Sequence, residues 1–384
     1  MSEFSLHEHG LMIRDRIRTG AYARALEQLV RPDSVVLDIG TGSGIFALLA
    51  ARSGARRVFA VEPDGVIELA RELSAANGLA DRITFIRGVS TRIDLPQRAD
   101  VIVSDLHGVL PLYETHIPSI ADARLRHLAA GGTLIPFRET LWAGAAELPD
   151  VYEDHVLSWE ASPYGLTIAN GRAYAANDWR RVSVAADALL ADPASLAVLD
   201  YRSISSPNVK SSAELHATRS GTLHGIVLWF DSELAEGVGF TNAPGEPETV
   251  YRQVLFPLLE PVEVAPGDAI SYDFWASLIE DEYVFRWDTR IAESSHPRQV
   301  KAAFRQSTVF SSPLAPDSVA RRNEGYAPTP NGGGEALAFV LERADGRRTL
   351  RDLSREVESR FPELFSSEGD ALRFVAGVTR KYCR

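Results

Sequence analysis

The sequence predicts an α/β domain built on a parallel sheet, then an antiparallel β-barrel or sandwich, then a small helical module. Three observations carry this reading. Residues 35–64 run strand, glycine turn, helix, strand and acid, the pattern of a nucleotide-binding βαβ half. From Leu141 to about Ile291 the rhythm changes to short alternating stretches between Pro, Gly and Asp turns, such as residues 225–230 and 284–287; that is the signature of antiparallel sheet. A segment rich in Ser, Pro, Asn and Gly, residues 311–334, precedes apolar runs at helical spacing.

Taken in order, the chain opens with a helix to about Val30, in which His9, Met12, Ile13, Ile17, Ala21 and Ala25 keep near-helical spacing with arginines between them. Arg18 is either an exposed helix charge or long enough to reach a carboxylate in a nucleotide site. The apolar run Val35-Val36-Leu37-Asp38-Ile39 is a buried strand and Gly40-Thr41-Gly42-Ser43-Gly44 the turn after it. A helix (45–51) and a second strand (58–61) follow, closed by Glu62, which is placed to accept two hydrogen bonds from a ribose diol. The glycine spacing is G-x-G-x-G, with Ile45 where a dinucleotide fingerprint needs a third glycine, so a pyrophosphate loses its close approach to the helix N-terminus. Asp38 before the turn suits a cationic ligand. S-adenosylmethionine (SAM), with an ammonium, a sulfonium and no phosphate, fits; a nicotinamide dinucleotide or a purely structural turn are the alternatives.

A helix (66–76) closed by Asn77-Gly78, a strand (83–86) and a loop (88–96) lead to the strand 100–105, which again ends on an acid, Asp105. Ligands bind at the carboxyl ends of parallel strands, and the loop there carries a second acid, Glu114, nine positions on. A helix through Arg124 and a strand after Gly131-Gly132 complete the alternation near Pro136. Within the β region, residues 178–199 read as a helical excursion. Helical stretches at 336–341, 350–357 and 371–382 form the last module. The expected domains are therefore 1–136, 137–310 with a helical arm near 165–199, and 311–384.

At 384 residues and 45% hydrophobic, the chain can bury more than one core. Its net charge of −12 argues against nucleic acid and anionic membrane as partners. No apolar run approaches a transmembrane length and no signal-peptide pattern opens the chain, so a cytoplasmic protein is expected. One cysteine, Cys383, excludes an intrachain disulfide and a cysteine-rich metal site. No metal is expected.

From about His9 to Ile291 the chain resembles the protein arginine methyltransferases. The resemblance rests on His9, Met12, Arg18-Thr19 and Tyr22, on residues 36–44, on Glu62, and on the loop Ser104-Asp105-Leu106-His107-Gly108 with Glu114. It continues in Leu228-Trp229-Phe230-Asp231 and in Thr249-Val250-Tyr251-Arg252-Gln253. It implies a Rossmann-like class I methyltransferase domain with SAM as cofactor, and a β-barrel with a dimerisation arm. It also implies a homodimer, and a grip by Arg18 on the methionine carboxylate. Cofactor contacts then fall to His9, Met12, Arg18, Asp38, Gly40, Gly42, Glu62, Pro63, Val89, Ser90, Thr91 and Ser104. The chain departs from the family pattern where Thr91 replaces an acid, where Asp105 shortens a Glu, where His116 replaces a Met, and where Val250 and Tyr251 replace a loop histidine and tryptophan.

Asp105, Glu114, His107 and His116 are the expected catalytic cluster, carboxylate and imidazole groups able to serve as general base near neutral pH. A guanidinium needs two well-placed carboxylates, and the altered acid loop leads to the expectation of a small-molecule substrate. The specific expectation is methylation at C3 of the indole in tryptophan-containing cyclic dipeptides, giving pyrroloindolines in natural-product biosynthesis. The alternative is a protein or peptide arginine N-methyltransferase, or a peptide methyltransferase whose last module, which resembles PqqD-like winged-helix units, grips the substrate. A non-catalytic SAM-sensing protein is a third reading, opposed by the retained acids Asp38, Glu62 and Glu114.

Overall fold

The computed structural model describes residues 5–294, 296, 299–315, 321 and 324–383. They form two compact units, divided between Pro313 and Leu314.

The first unit starts with two helices where the periodicity predicts one. Helix α1 (Leu6–Arg14) is closed into a capping box by Ser5 and Glu8. Asp15 then leaves the helical conformation, and its carboxylate accepts from the N–H groups of Ile17 (3.0 Å) and Arg18 (2.9 Å). An aspartate that satisfies two orphan N–H donors starts a new helix, α2 (Arg16–Leu29), and the apolar period runs across the break without showing it.

The nucleotide-binding half folds as the residue pattern predicts. β1 (Val35–Ile39), α3 (Ile45–Arg52), β2 (Arg57–Glu62), α4 (Ile67–Ala76), β3 (Ile83–Arg87), β4 (Ala99–Ser104), α5 (His116–Arg126) and β5 (Leu128–Ile135) alternate along the chain. The five strands pair in parallel in the order β3-β2-β1-β4-β5. The strand order reverses between β1 and β4, and a crevice opens there at the carboxyl ends of the strands. β1 is buried along its whole length, which explains its continuous apolar run.

The β region follows with β6 (Arg138–Ala146), the helices α6 (Pro149–His155) and α7 (Gly171–Ala176), β7 (Arg180–Val182), β8 (Ala194–Asp200) and β9 (Val209–His216). Then come β10 (Gly221–Ala235), β11 (Val238–Thr241), β12 (Gln253–Val264), β13 (Ala269–Ile279), β14 (Glu282–Ala292) and β15 (Val300–Ser307). They build two antiparallel sheets, β7-β12-β10-β6-β8 with β11 on β10, and β15-β14-β13-β9. The helical excursion expected at 178–199 is a correction. The helices lie earlier, between Pro149 and Ala176, while β7 pairs with β12 and β8 with β6. The alanine-rich run 185–191 imitates helix in composition, but its neighbours are committed to ladder hydrogen bonds. Helix α2 packs on β10 and β11, and one apolar core runs without interruption from the parallel sheet into the β sheets.

The second unit is a bundle of α8 (Gly332–Arg343), α9 (Leu350–Arg360) and α10 (Glu368–Tyr382), capped by Asn331, Thr349 and Ser367. Its core is Ala336, Val340, Leu353, Val357, Phe361, Val375 and Val378. No wing strand occurs among its described residues, and part of the expected linker lies outside the described residues.

Phe256 on β12 is fully buried, edge-on to Phe274, Phe285 and Trp287 at 5.0–5.7 Å. Deleting such a ring costs about 3–5 kcal/mol. Phe256→Ala should lower the unfolding free energy of the first unit by that amount in denaturant titration.

Candidate active site

The crevice is a cavity of about 790 Å³ with the glycine turn on one wall, within the size range of cofactor sites. Gly40, Gly42 and Gly44 all have positive φ, 68°, 53° and 89°. A Cβ on Gly42 would come within 2.9 Å of the His9 ring, so glycine there is required by both conformation and space. Glu62 at the end of β2 accepts from the Gly42 N–H at 3.0 Å and the Asp64 N–H at 2.9 Å. Its carboxylate thus braces the turn and faces the cavity.

His9, Met12 and Arg18 from the N-terminal helices, Gly40 and Gly42 from the turn, and Glu62, Pro63, Val89 and Ser90 across from it line the cavity. Asp38, Thr91 and Ser104 are not among the lining residues. Asp38 lies beneath the turn, where it accepts from the Thr41 hydroxyl, and burial pushes its carboxyl up to about 7. Its visible work is to hold the turn. Ser104 gives its carbonyl to the Tyr22 hydroxyl at 3.1 Å.

The four expected catalytic residues all line the same cavity, but their electrostatics differ. Asp105 follows β4 and is almost fully enclosed. One of its oxygens, Oδ2, accepts from Nε and Nη2 of Arg18, and the Tyr251 hydroxyl lies 2.6 and 2.7 Å from Oδ1 and Oδ2. Arg18 in turn donates from Nε to Tyr251 at 2.8 Å and from Nη1 to Met12 O and Thr19 Oγ1. Burial alone would raise the Asp105 pKa; Arg18 and then His107 outweigh it and hold the carboxyl below its usual range. Glu114 is different: exposed, with φ of 38°, and free of any ion pair with a described residue.

His107 Nε2 lies 3.4 Å from Asp105 Oδ1 and 3.2 Å from Oε1 of Glu139, a residue of β6 that is 0% exposed. Burial would drive the imidazole neutral, but Glu139 and then Asp105 raise its pKa; Nε2 meets both carboxylates at ion-pair distance and makes no hydrogen bond to a described residue. His116, the first residue of α5, has the opposite fate. Its Nε2 is 2.9 Å from the Tyr201 hydroxyl, which itself donates to Glu139 Oε2. The tyrosine proton is therefore committed, Nε2 carries the imidazole hydrogen, and Nδ1 is left buried without a partner. Burial and the neighbouring His107 push its pKa down to about 3. The two rings of the expected carboxylate–imidazole cluster are therefore not equivalent: the neighbouring carboxylates favour the proton on His107, and burial disfavours it on His116.

Glu139 and Tyr201 were missed by the sequence reading. A signal for Glu139 exists: in β6 it shares the inward parity of Leu141, Ala143 and Ala145, and an acid at an apolar position of a strand marks a buried partner. Tyr201 has no such signal.

The donors suit SAM. Glu62 faces the cavity, the turn brings backbone close at Gly40 and Gly42, and Arg18 places a guanidinium in the wall. Fold and site together define a class I SAM-dependent methyltransferase. Two family models match, one described as the arginine methyltransferase oligomerization subdomain (residues 138–287), the other as ribosomal protein L11 methyltransferase (residues 19–135). Protein arginine N-methyltransferase 1.1 of Arabidopsis thaliana is 30% identical over 278 residues, 70% of each chain. Protein arginine N-methyltransferase 1 of Schizosaccharomyces pombe is 31% identical over 281 residues, 70% of this chain and 81% of that one. In solved structures the same fold recurs in the Trypanosoma brucei PRMT1 enzyme–prozyme heterotetrameric complex with AdoHcy (TM-score 0.73, 23% identity, 79% of this chain and 98% of that one). It recurs also in Arabidopsis thaliana protein arginine methyltransferase 10 (TM-score 0.70, 24% identity, with the same coverage). The chain belongs to the protein arginine N-methyltransferase family.

This overturns the indole reading and, with it, the small-molecule partner: the relatives are arginine N-methyltransferases. The expected small-molecule homodimer finds no support there either: the trypanosomal neighbour is itself an enzyme–prozyme heterotetrameric complex. Among the described residues no helix is long and apolar enough to cross a membrane.

Two measurements test the site. Glu62→Ala removes a charged acceptor and should weaken SAM binding by about 10- to 100-fold in calorimetry, since hydrogen bonds to charged groups contribute ~1.5–3 kcal/mol. The depressed His116 pKa means that the unfolded chain takes up a proton the folded chain refuses, so stability falls as pH drops from about 6.5 toward 3. His116→Gln should lose less thermal stability than the native protein over that interval.

Proposed function

We propose that this protein transfers the methyl group of SAM to the guanidinium of an arginine in a protein or peptide. The observation that carries the reading is that Asp105, inside the cavity, already holds a guanidinium, that of Arg18, against the Tyr251 hydroxyl. The wall therefore suits the charge and the planar N–H pattern of that group. The curated relatives are arginine N-methyltransferases, and a chain of net charge −12 attracts cationic, arginine-rich segments.

Residues 1–136 hold the cofactor, residues 137–310 close the acceptor side, and residues 311–384 form a separate module. When bound, SAM supplies an electrophilic methyl on its sulfonium. His9, Met12, Arg18, Gly40, Gly42, Glu62, Pro63, Val89 and Ser90 hold it. Asp105, fixed by three partners, and Glu114, free of them, present carboxylate to the acceptor guanidinium from two sides of the cavity. Glu114 is the acid available to an incoming N–H group, because Asp105 Oδ2 is occupied by Arg18. Two carboxylates orient the nucleophilic nitrogen and stabilise the charge it carries.

The test is a methyl-transfer assay on arginine-rich peptides and on the same peptides with every arginine replaced by lysine. Mass gain of one methyl in the first alone supports the reading; equal gain in the second, or none in either with SAM bound, overturns it. Glu114→Gln should lower peptide kcat/KM by about 100-fold, as expected for a lost charge-stabilising group, with SAM affinity changed less than about threefold, within the scatter expected of a site not touched directly.

A further inference from the structure

We propose that Glu139 is a positioning residue of the methyl-transfer site: through His107 it fixes the carboxylate of Asp105. The inference rests on Asp105 being an acceptor-side acid. Glu139 enters from the β sheet, not from the nucleotide-binding half that carries the rest of the cluster. Its carboxylate is fully buried, and the cationic partner within reach is His107, 3.2 Å away; Tyr201 donates to its other oxygen. The neighbouring Arg138 turns outward to Glu233 instead.

A buried carboxylate without a compensating cation is strongly unfavourable, so Glu139 and His107 are ionised together. The ring cannot turn away from this arrangement. It meets Phe230 edge-on at 5.1 Å and His116 edge-on at 5.2 Å, and lies tilted against Tyr251 at 5.0 Å. Held there, Nε2 sits 3.4 Å from Asp105 Oδ1, opposite the oxygen that Arg18 occupies. The titratable groups facing His107 are Asp105 from the β4 end, His116 from α5, Glu139 from β6, and Tyr251 from the loop before β12; Tyr201 acts through Glu139 and His116, and Arg18 of α2 through Asp105. Two cations, Arg18 and His107, balance two carboxylates, Asp105 and Glu139. Removing the Glu139 charge leaves the imidazolium beside one shared carboxylate, favours its loss of a proton, and leaves the Tyr251 hydroxyl as the remaining hold on Asp105 Oδ1.

The experiment uses the full chain with histidine ring carbons isotopically labelled, the His107 signal being assigned with His107→Gln. Imidazole titrations are followed by NMR in the native protein, Glu139→Gln and Glu139→Asp, alongside SAM calorimetry and kcat on an arginine-rich peptide across pH. In Glu139→Gln the His107 titration should move down by at least one pH unit. Its kcat should fall between about 10- and 100-fold, the loss usual for outer groups that orient a functional side chain, with a new pH inflection that follows the His107 titration. SAM affinity should hold within about threefold, because Glu139 does not line the cofactor wall. Glu139→Asp should recover part of both effects. An unmoved His107 titration, or a kcat–pH curve parallel to the native one, overturns the proposal. The titration needs no acceptor: a shifted His107 with no arginine methylation by the native protein sinks the acceptor reading alone. Methylation with an unshifted His107 sinks this one alone. Should Glu139→Gln fail to fold, Glu139→Leu/His107→Leu, which removes both charges, should fold; failure of both overturns the pairing.

Discussion

The site depends on one requirement: a carboxylate taken out of water must be surrounded by donors, or it protonates. Asp105 is enclosed where the parallel sheet meets the β sheets, and each partner that keeps it ionised comes from a different element. Arg18 is on the second turn-start of the N-terminal helices, Tyr251 is in the loop before β12, and His107 is held by Glu139 of β6. Apart from His107, which stands two residues from Asp105 in the same loop, these contacts span 32 to 146 positions of the chain. The active site is thus complete only when the two layers have docked, which explains why one continuous core joins them and why they do not separate as compact units.

The same arithmetic assigns protonation states. In a cluster with little water, a charge is tolerable when its opposite is in contact. Arg18 and His107 take the two cationic places and Asp105 and Glu139 the two anionic ones. His116 is then left with no anion of its own: Tyr201 stands between it and Glu139, and His107 repels its proton. Two histidines whose rings meet at 5.2 Å are thus shifted in opposite directions, and their difference is set by which of them touches a carboxylate.

How much of this was legible in the residues follows from distance along the chain. The glycine turn was readable because three close glycines with an acid at the end of the next strand have few other uses, and their positive φ angles bear that out. The acids Asp105 and Glu114 were readable from their place after a parallel strand. The helix break at Asp15 was not, because the apolar period crosses it unchanged and the capping aspartate is the one residue that marks it. Glu139 was marked by its inward parity in β6, but what it binds was not, and Tyr201 was beyond reach, because their partners lie 32 and 85 positions away, His107 and His116 respectively. The indole expectation failed for a related reason. It treated the missing loop histidine at Val250 as a loss of guanidinium chemistry, whereas an imidazole stands beside Asp105 all the same, supplied by His107 from another loop. The Val250 N–H meanwhile donates to Asp15 at 2.8 Å, so the loop is tied to the helix start by its backbone and the side chain there is released from that duty.

That exchange has a consequence for how the two acids divide their work. Asp105 with Arg18, Tyr251 and His107 around it is rigid and electrically satisfied, so it offers orientation more than unspent charge. Glu114 is exposed, has a positive φ of 38°, and makes no ion pair with a described residue. A cationic acceptor gains most from the carboxylate that has not yet been neutralised, and is aligned best by the one that cannot move. The loop after β4 provides both within ten residues, one acid fixed by the protein interior and the other, under the proposed function, left for the substrate.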